Sequence, residues 1–316
     1  YQRIIPFAKS VGVGSVGDID KEIFSGYGEF FLDVKTKGKW KTKASGLSAS
    51  TINSDLATLN EILNFLVKRE LLDPRKKGDL PKVRDRKNYR EESNPAFLPD
   101  EFDRFKGELY KFDQNCLDQI DEWKKRWFIN WVLFQYQSGC RVHESSQIRI
   151  GDTEVQKRPD GKIKGIISIS PTTKTGRRTL IMNGNTLRKV KSHLTKGIKL
   201  RNEQIKKHNE MVLSGEGKRR KRNRNYELPS LEPATKDDFL LMNPFIDGRK
   251  VYHTERIRGW MNEVLSRCEF DKRYTLHSLR ATHITHALLK GYRTRVIADN
   301  VGNSQAEIER TYYRLS

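Results

Sequence analysis

Apolar residues recur at helical spacing through the first quarter of the chain. One run begins near residue 19, and a second begins at a capping serine, Ser48 or Ser50. The apolar positions of the first run are Ile23, Tyr27, Phe30, Phe31 and Val34, and those of the second are Ile52, Leu56, Leu59, Ile62, Leu63 and Leu66. Steps of three and four residues place each set on one face of a helix. The pattern predicts a small all-helical domain over residues 19–74, after an irregular segment over residues 1–18.

The pattern changes abruptly after Pro74. Apolar residues become scarce, Pro81 interrupts any helix, and basic residues accumulate at Arg75, Lys76, Lys77, Lys82, Arg84, Arg86, Lys87 and Arg90. Such a composition is typical of a segment between domains. We therefore predict a basic interdomain linker over residues 75–96.

The remaining residues, 97–316, show a mixed pattern. An apolar helix is predicted over residues 123–137, where Trp127, Trp131 and Phe134 supply bulk. Alternation from Ile163 to Ser170 predicts a strand, and residues 177–182 follow as its hairpin partner. Helical periodicity returns over residues 186–211 and from Thr254 to the end. The expected fold is mostly α with a small antiparallel sheet, a second domain beside the all-helical first one.

Charge adds a partner to this picture. The chain has 61 Lys and Arg against 40 Asp and Glu, a formal net charge of +21. An imbalance of this size favours binding to a polyanion, and the usual polyanion is nucleic acid. The alternative is a basic surface that binds no such partner. The eight linker cations are candidate DNA-binding residues, with a solvated charge run as the alternative. The basic run from Lys218 to Arg224 is either a DNA contact or an insertion without that role.

Cysteine use and hydropathy indicate the compartment. The three cysteines, Cys116, Cys140 and Cys268, are scattered and form no metal or redox motif. No apolar run is long enough to span a bilayer, and no secretory signal is present. His283, His286 and His143 lack the partners and spacing of a zinc site. We expect a cytoplasmic protein with reduced thiols, no bound metal and no membrane partner.

Three short stretches carry candidate chemistry. Arg141 follows Gly139 directly after the apolar helix, and Glu144 lies three residues further on. His277 and Arg280 share one face of a helical turn. Tyr312 and Tyr313 lie near the end of the last helical segment. Read singly, each stretch also fits an ordinary structural role: a helix junction, a chance motif and a packing tyrosine.

Together and in order, the stretches resemble the tyrosine recombinase, or phage integrase, family. Ser138-Gly139-Cys140-Arg141, with Glu144 three positions on, matches the family's first box, and His277-Ser278-Leu279-Arg280 matches its H-x-x-R. Thr173-Lys174-Thr175-Gly176 resembles the hairpin that bears the family's lysine. Tyr312 stands nine residues after Asn303, the spacing of the family's nucleophile, which favours it over Tyr313. The resemblance covers about residues 97–316, and residues 19–74 look like the family's core-binding domain.

The resemblance implies a site-specific recombinase of a mobile element that uses neither ATP nor metal. Arg141 and Arg280 would bind the scissile phosphate, and Tyr312 would attack it to give a 3′-phosphotyrosine. Lys174 would protonate the leaving oxygen, and Glu144 would orient Arg141. His277 would help to position or deprotonate the attacking group. Family members usually act as tetramers, or as dimers on each site. A bacterial or phage-encoded, nucleoid-associated protein is expected.

One position departs from the family pattern. Asn303 stands where family members carry histidine or tryptophan. Its amide can donate a hydrogen bond to a phosphate oxygen, but it cannot carry a proton. This departure is the one argument for a first alternative, a DNA-binding relative without catalysis. A type IB topoisomerase, which shares the chemistry, is the second alternative.

Overall fold

The computed structural model describes residues 3–33, 47–83, 94–170, 176–214, 227–246 and 248–312. The chain divides into two compact units, Tyr1–Glu91 and Glu92–Ser316. The division falls within the segment that the sequence predicts to be a linker.

The first unit is helical. Its described helices are α1 (Ile4–Ser10), α2 (Tyr27–Asp33) and α3 (Ala49–Lys68). The Ser48 hydroxyl caps α3 by accepting a hydrogen bond from the backbone N–H of Thr51 at 3.2 Å. The apolar stripe of α3 is buried against side chains of α1 and α2, and the core includes Phe7, Tyr27, Phe31, Ile52, Leu56, Leu59 and Leu63.

Two segments that the sequence assigns to irregular structure or to the linker contribute to this unit. Residues 4–10 form α1, because Ile4 and Phe7 gain burial there while Pro6 lies within the first turn, where a proline is tolerated. Residues 80–83 pack onto the same core, and the Asn53 side chain pairs with both backbone groups of Val83, at 2.9 and 2.8 Å. Arg84, Arg86, Lys87 and Arg90 lie outside the described residues.

The second unit is built around one buried helix. Its helices are α4 (Pro99–Tyr110), α5 (Gln119–Ser138), α6 (Val142–Ser145), α7 (Gly184–Leu213), α8 (Thr254–Ser266), α9 (Ser278–Leu289), α10 (Thr294–Val301) and α11 (Gln305–Tyr312). The aromatic residues of α5 are buried at the centre of the main core, Trp127, Phe128, Trp131 and Phe134 among them. Such bulk anchors the end of α5, from which the candidate site begins.

In the described part of the chain, three strands form an antiparallel sheet in the order β1 (Thr153–Lys157), β2 (Ile163–Ile169) and β3 (Arg178–Asn183). The fold class expected from the sequence, mostly α with a small antiparallel sheet, is confirmed. The hairpin of β2 and β3 was also predicted, and Ile167 pairs with Leu180 in its centre. Strand β1 was not predicted, because Val155 is its sole aliphatic residue and β2 supplies its pairing.

Helix α7 is 30 residues long, and two asparagines seven residues apart tie a later segment to it. Asn202 exchanges hydrogen bonds with both backbone groups of Leu231 at 2.9 and 2.7 Å. Asn209 does the same with Leu228 at 2.9 and 2.8 Å. The basic run from Lys218 to Arg224 lies outside the described residues.

The other sequence expectations concern thiols and membranes. Cys116, Cys140 and Cys268 form no disulfide, as expected. Within the described ranges, no helix is both long enough and apolar enough to cross a bilayer.

Gly139 ends α5 in a backbone conformation that a substitution can test. It adopts a left-handed conformation with φ +62°, and a Cβ there would lie 2.5 Å from Cδ2 of His283. Gly139→Ala is therefore expected to lower the free energy of unfolding by about 3 kcal/mol, because left-handed strain and the ring contact add. Urea denaturation measures the change. Gly107→Ala in α4 is the control, since a Cβ there meets nothing within 4 Å, and equal stability of the two variants would contradict the prediction.

Candidate active site

The site begins where α5 ends. Gly139 closes the helix in a left-handed conformation, and two residues later Arg141 occupies the N-cap of α6. The Arg141 backbone N–H donates to Oε2 of Glu144 at 2.9 Å, and its Nη1 donates to Oε1 at 2.9 Å. The junction therefore fixes the main chain and the side chain of Arg141 on one carboxylate.

The Glu144 carboxylate is buried and shared. Its side chain is 0% exposed, and it also accepts hydrogen bonds from Nη2 and Nη1 of Arg178 at 2.7 and 3.3 Å. Burial alone would raise the pKa of Glu144, but the hydrogen bonds from Arg178 and Arg141 outweigh burial and lower the pKa to about 2. Glu144 is ionised at neutral pH and accepts hydrogen bonds from two guanidinium groups, and its role in orienting Arg141 during a reaction stays a prediction.

Arg280 ties two helix ends to the site. It is 3% exposed. Its Nη1 donates to the carbonyl oxygens of Gly139 at 2.5 Å and Val301 at 2.8 Å, the C-terminal ends of α5 and α10. Burial, with repulsion from Arg141, lowers the pKa of Arg280 to about 10. The guanidinium stays charged at neutral pH, and the helix C-termini favour that charge.

Asn303 brings the two arginines together. It follows Gly302, which ends α10 with φ +72°. Its Oδ1 accepts from Nη2 of Arg280 at 2.8 Å and from Nη2 of Arg141 at 3.2 Å. Arg141 Nη2 also donates to the Gly302 carbonyl at 3.2 Å. In this structure the amide oxygen of Asn303 accepts hydrogen bonds from the arginines. The sequence analysis instead predicted that its amide N–H donates to a phosphate oxygen.

Tyr312 is the last described residue of α11. Its ring packs against an apolar cluster formed by Ile284, Ile297, Ala298, Val301 and Ile308. Burial raises the pKa of Tyr312, and the charges of Arg280 and Arg141 act in the opposite direction. The phenol therefore lies within the field of both arginines. Tyr313 lies outside the described residues.

His277 is the N-cap residue of α9, three residues before Arg280. Its ring reaches solvent, but the protein around it, followed by the charges of Arg280 and Arg141, lowers its pKa. The imidazole is therefore neutral at pH 7 and able to accept a proton. Lys174 falls between β2 and β3 in the sequence and lies outside the described residues.

Arg178 was missed by the sequence reasoning. It is the first residue of β3, and it shares the strand face of the buried Leu180 and Met182. A cation at an inward position of a strand is the signal that could have identified it, because such a charge needs a buried partner. That partner is Glu144.

Two of the three histidines that were weighed as metal ligands, His283 and His286, have other partners. His283 Nδ1 is hydrogen-bonded to the Tyr136 carbonyl at 2.8 Å. His286 Nε2 contacts the Phe97 carbonyl at 3.1 Å, so Nε2 carries the proton and Nδ1 accepts from the Tyr136 hydroxyl at 3.1 Å. Among the described residues, no three His, Cys, Asp or Glu side chains lie close enough to share a metal ion.

Glu144→Gln is expected to change how stability depends on pH. Removing the charge of the carboxylate leaves the nearly buried Arg178 guanidinium and the partly buried Arg141 guanidinium without their anionic partner, which costs about 3 kcal/mol at pH 7. In the unfolded chain the pKa of Glu144 is ordinary, about 4.3, so its contribution is fully present above that pH and is lost as the pH falls toward the folded value of about 2. The stability gap between wild type and variant therefore narrows from pH 7 to pH 3.

Chemical denaturation at the two pH values measures this gap. Glu154→Gln is the control, because Glu154 is exposed on β1 and should show no comparable gap at either pH. A gap for Glu144→Gln that stays the same at pH 3 and pH 7 would contradict the assignment of a depressed pKa to Glu144.

The fold of the second unit and the residues that it brings together can be compared with those of known protein classes. A mostly helical unit with a three-stranded sheet in its described part brings Arg141, Glu144, Arg280 and Asn303 into one hydrogen-bonded group. Tyr312 packs on the apolar cluster that includes Val301, to whose carbonyl oxygen Arg280 donates. The mostly helical fold with a small antiparallel sheet is that of tyrosine recombinase catalytic domains, so the fold implied by the sequence resemblance is confirmed.

Solved structures with this fold span both units of the chain. The XerH site-specific recombinase bound to its difH substrate has a TM-score of 0.56 at 14% identity, over 98% of this chain and 73% of that one. The Tn1549 transposon integrase with circular intermediate DNA gives 0.53 at 14%, over 98% and 87%. A lambda integrase dimer on a core site gives 0.57 at 12%, over 98% and 69%. No family profile and no curated protein sequence matches the chain.

Proposed function

We propose that this chain is a site-specific DNA recombinase, or integrase, of a mobile element, which cleaves and rejoins strands through a 3′-phosphotyrosine intermediate. One observation carries the proposal: Arg141 and Arg280 converge on a single oxygen atom, Oδ1 of Asn303. Tyr312 packs on the cluster that includes Val301, whose carbonyl oxygen Arg280 also binds. Two guanidinium groups aimed at one acceptor are suited to the non-bridging oxygens of a phosphodiester.

The reaction follows from the charges. A phosphodiester carries one negative charge, and nucleophilic attack adds a second in the pentavalent transition state. Arg141 and Arg280 bind the non-bridging oxygens and stabilise that added charge. The Tyr312 hydroxyl attacks phosphorus and passes its proton to the neutral imidazole of His277. Lys174 protonates the departing 5′ oxygen, and the phosphotyrosine conserves the bond for rejoining.

Several features support double-stranded DNA as the substrate. The chain carries a formal net charge of +21, and the solved recombinases with the same fold are bound to DNA. The helical first unit would act as the core-binding domain. Its basic residues Arg75, Lys76, Lys77 and Lys82 would contact DNA phosphates, as would the other linker cations. Paired sites on two duplexes require a dimer on each and a tetramer overall. Such a protein would work in the cytoplasm, at the nucleoid.

The alternative hypothesis, a DNA-binding relative without catalysis, rests on Asn303 alone. Asn303 retains a hydrogen-bonding function here, because its amide oxygen gathers both arginines. That arrangement supports an active site, and nothing specific to the chain favours a type IB topoisomerase over a recombinase.

A nicked suicide duplex tests the proposal. The duplex carries the junction of the chain's own mobile element, with a nick just 3′ of the scissile phosphate so that the cleaved fragment diffuses away. Wild-type protein is expected to accumulate a covalent adduct without metal or ATP, visible as a slower band on a denaturing gel. Absence of any adduct on junction DNA that the protein binds would contradict the proposal.

A further inference from the structure

Arg178 makes a fork-shaped contact with the carboxylate beneath the site. Its side chain is 8% exposed. Nη2 and Nη1 donate to the two oxygens of Glu144 at 2.7 and 3.3 Å. Planar two-point contacts of this kind fix the orientation of a carboxylate more firmly than a single ammonium can.

The same carboxylate positions Arg141. Oε1 accepts from Arg141 Nη1 at 2.9 Å, and Oε2 accepts from the Arg141 backbone at 2.9 Å. Arg178 therefore acts on Arg141 through one shared group. If Arg178 were absent, Glu144 could rotate about its terminal torsion, and Arg141 would lose the fixed direction in which its Nη2 points.

Arg178 also affects the charge of the site. Among the described residues, three guanidinium groups (Arg141, Arg178 and Arg280) and one carboxylate (Glu144) leave a net charge of +2. That value balances the two negative charges of the pentavalent transition state. Without Arg178 the described groups would leave +1, which balances the ground-state diester but not the transition state.

A third contact joins β3 to the turn that bears Asn303. Arg178 Nε donates to the Asn300 carbonyl at 3.4 Å, and the Ile181 N–H donates to Asn300 Oδ1 at 2.7 Å. A Cβ on Gly302 would lie 2.8 Å from the Arg178 guanidinium carbon. The guanidinium therefore packs directly under the backbone from which Asn303 projects.

We propose that Arg178 is a positioning residue of this active site, which holds Glu144 so that Arg141 and the turn bearing Asn303 present a fixed cradle to the scissile phosphate. The inference rests on the proposed function for its reaction, and on the contacts of β3 with α6 and α10 for its geometry.

Single-turnover cleavage of the suicide duplex, with protein in excess and saturating, tests the inference. Arg178→Gln is expected to slow cleavage by about 10²-fold, because small displacements of a positioning group cost that much, while duplex affinity stays within a factor of a few. Arg177→Gln is the matched control, since Arg177 carries the same charge one residue away and is exposed. It should keep the wild-type cleavage rate. Arg178→Lys, which keeps the charge without the fork, should fall between the two.

The pH profile separates positioning from a loss of folding. Of the residues that the structure describes, five with titratable or charged groups interact with Glu144. They are Cys140 and Arg141 at the start of α6, Arg178 on β3, His277 at the N-cap of α9, and Arg280 within α9. In wild type Glu144 is ionised across the working range. In Arg178→Gln the pKa of Glu144 rises, because burial is opposed by one partner fewer. Cleavage should therefore begin to fall at a higher pH than in wild type, in which the loss at acid pH reports protonation of His277. The double variant Arg178→Gln, Glu144→Gln should show only the acid limb of wild type and be no slower than the worse single variant.

Two kinetic results would overturn the inference: Arg178→Gln cleaving as fast as Arg177→Gln, or a double variant slowed by the product of the two single effects. The ¹³C signal of the Glu144 carboxyl gives a reading without DNA. If wild type forms no adduct, the proposed function fails, and the carboxyl titration still tests Arg178. If Glu144 titrates identically in wild type and in folded Arg178→Gln, this inference fails and the proposed function is untouched.

Discussion

Tyr312→Phe protein is expected to form no covalent adduct with the suicide duplex, while it binds that duplex as tightly as wild type. The substitution removes one oxygen atom, the proposed nucleophile, and nothing else. The ring that packs against the cluster around Ile284, Ile297 and Ile308 is retained, so the fold of α11 should be unaffected. A denaturing gel measures the adduct, and a mobility-shift assay at fixed salt measures binding.

Tyr313→Phe is the matched control. It changes the same atom in the neighbouring residue, and it should leave adduct formation at the wild-type level. If Tyr313→Phe abolished the adduct and Tyr312→Phe did not, the nucleophile would be Tyr313 and the nine-residue spacing from Asn303 would have misled us. If both variants trapped DNA normally, the tyrosine mechanism itself would be excluded.

Arg280→Lys is expected to lower the single-turnover cleavage rate by about 10³-fold, the scale of losing a preorganised donor at the reacting oxygen. Arg280 donates to Gly139 and Val301 carbonyls and to Asn303 Oδ1 at once. A lysine keeps the charge but reaches these three acceptors from a single nitrogen. The phosphate would lose the donor that Asn303 Oδ1 occupies here, and α5 and α10 would lose part of their shared cap.

The control for this variant is Arg295→Lys in α10, because Arg295 is an exposed residue of the same unit. It should cleave at the wild-type rate. The thermal midpoint of Arg280→Lys should fall by a few degrees, in keeping with one weakened buried contact. Near wild-type cleavage by Arg280→Lys would show that Arg280 supplies charge alone and that its fork has no part in the reaction.

Much of the fold follows from local pattern. The period of three and four residues locates α3 and α7, because each of them buries one face in the core of its own unit. The run of bulky apolar residues locates α5, which is buried on most of its sides. The β2–β3 hairpin follows from alternation and turn residues. Helix α1 and strand β1 could not be found in this way. Seven residues give too little periodicity for α1, and the pairing of β1 with β2 is a contact between strands that neither sequence encodes alone.

The candidate site divides along the same line. Arg141, Glu144, His277, Arg280 and Tyr312 were identifiable because their spacing within short motifs matches a known order. Arg178 belongs to no such motif. Its contact with Glu144 spans 34 residues, and the burial of that carboxylate is visible only in three dimensions. The acceptor role of Asn303 was equally hidden, since it depends on two arginines from different helices.

The asparagine pairs on α7 provide a practical handle. Asn202 and Asn209 hold Leu231 and Leu228 by the main chain, so the path on both sides of residues 215–226 is fixed by contacts outside that stretch. Helix α7 starts directly after β3 and rises about 1.5 Å per residue, about 45 Å over its length. A fluorophore attached at Ser214 would therefore lie far along α7 from the candidate site and would not touch the residues of that site.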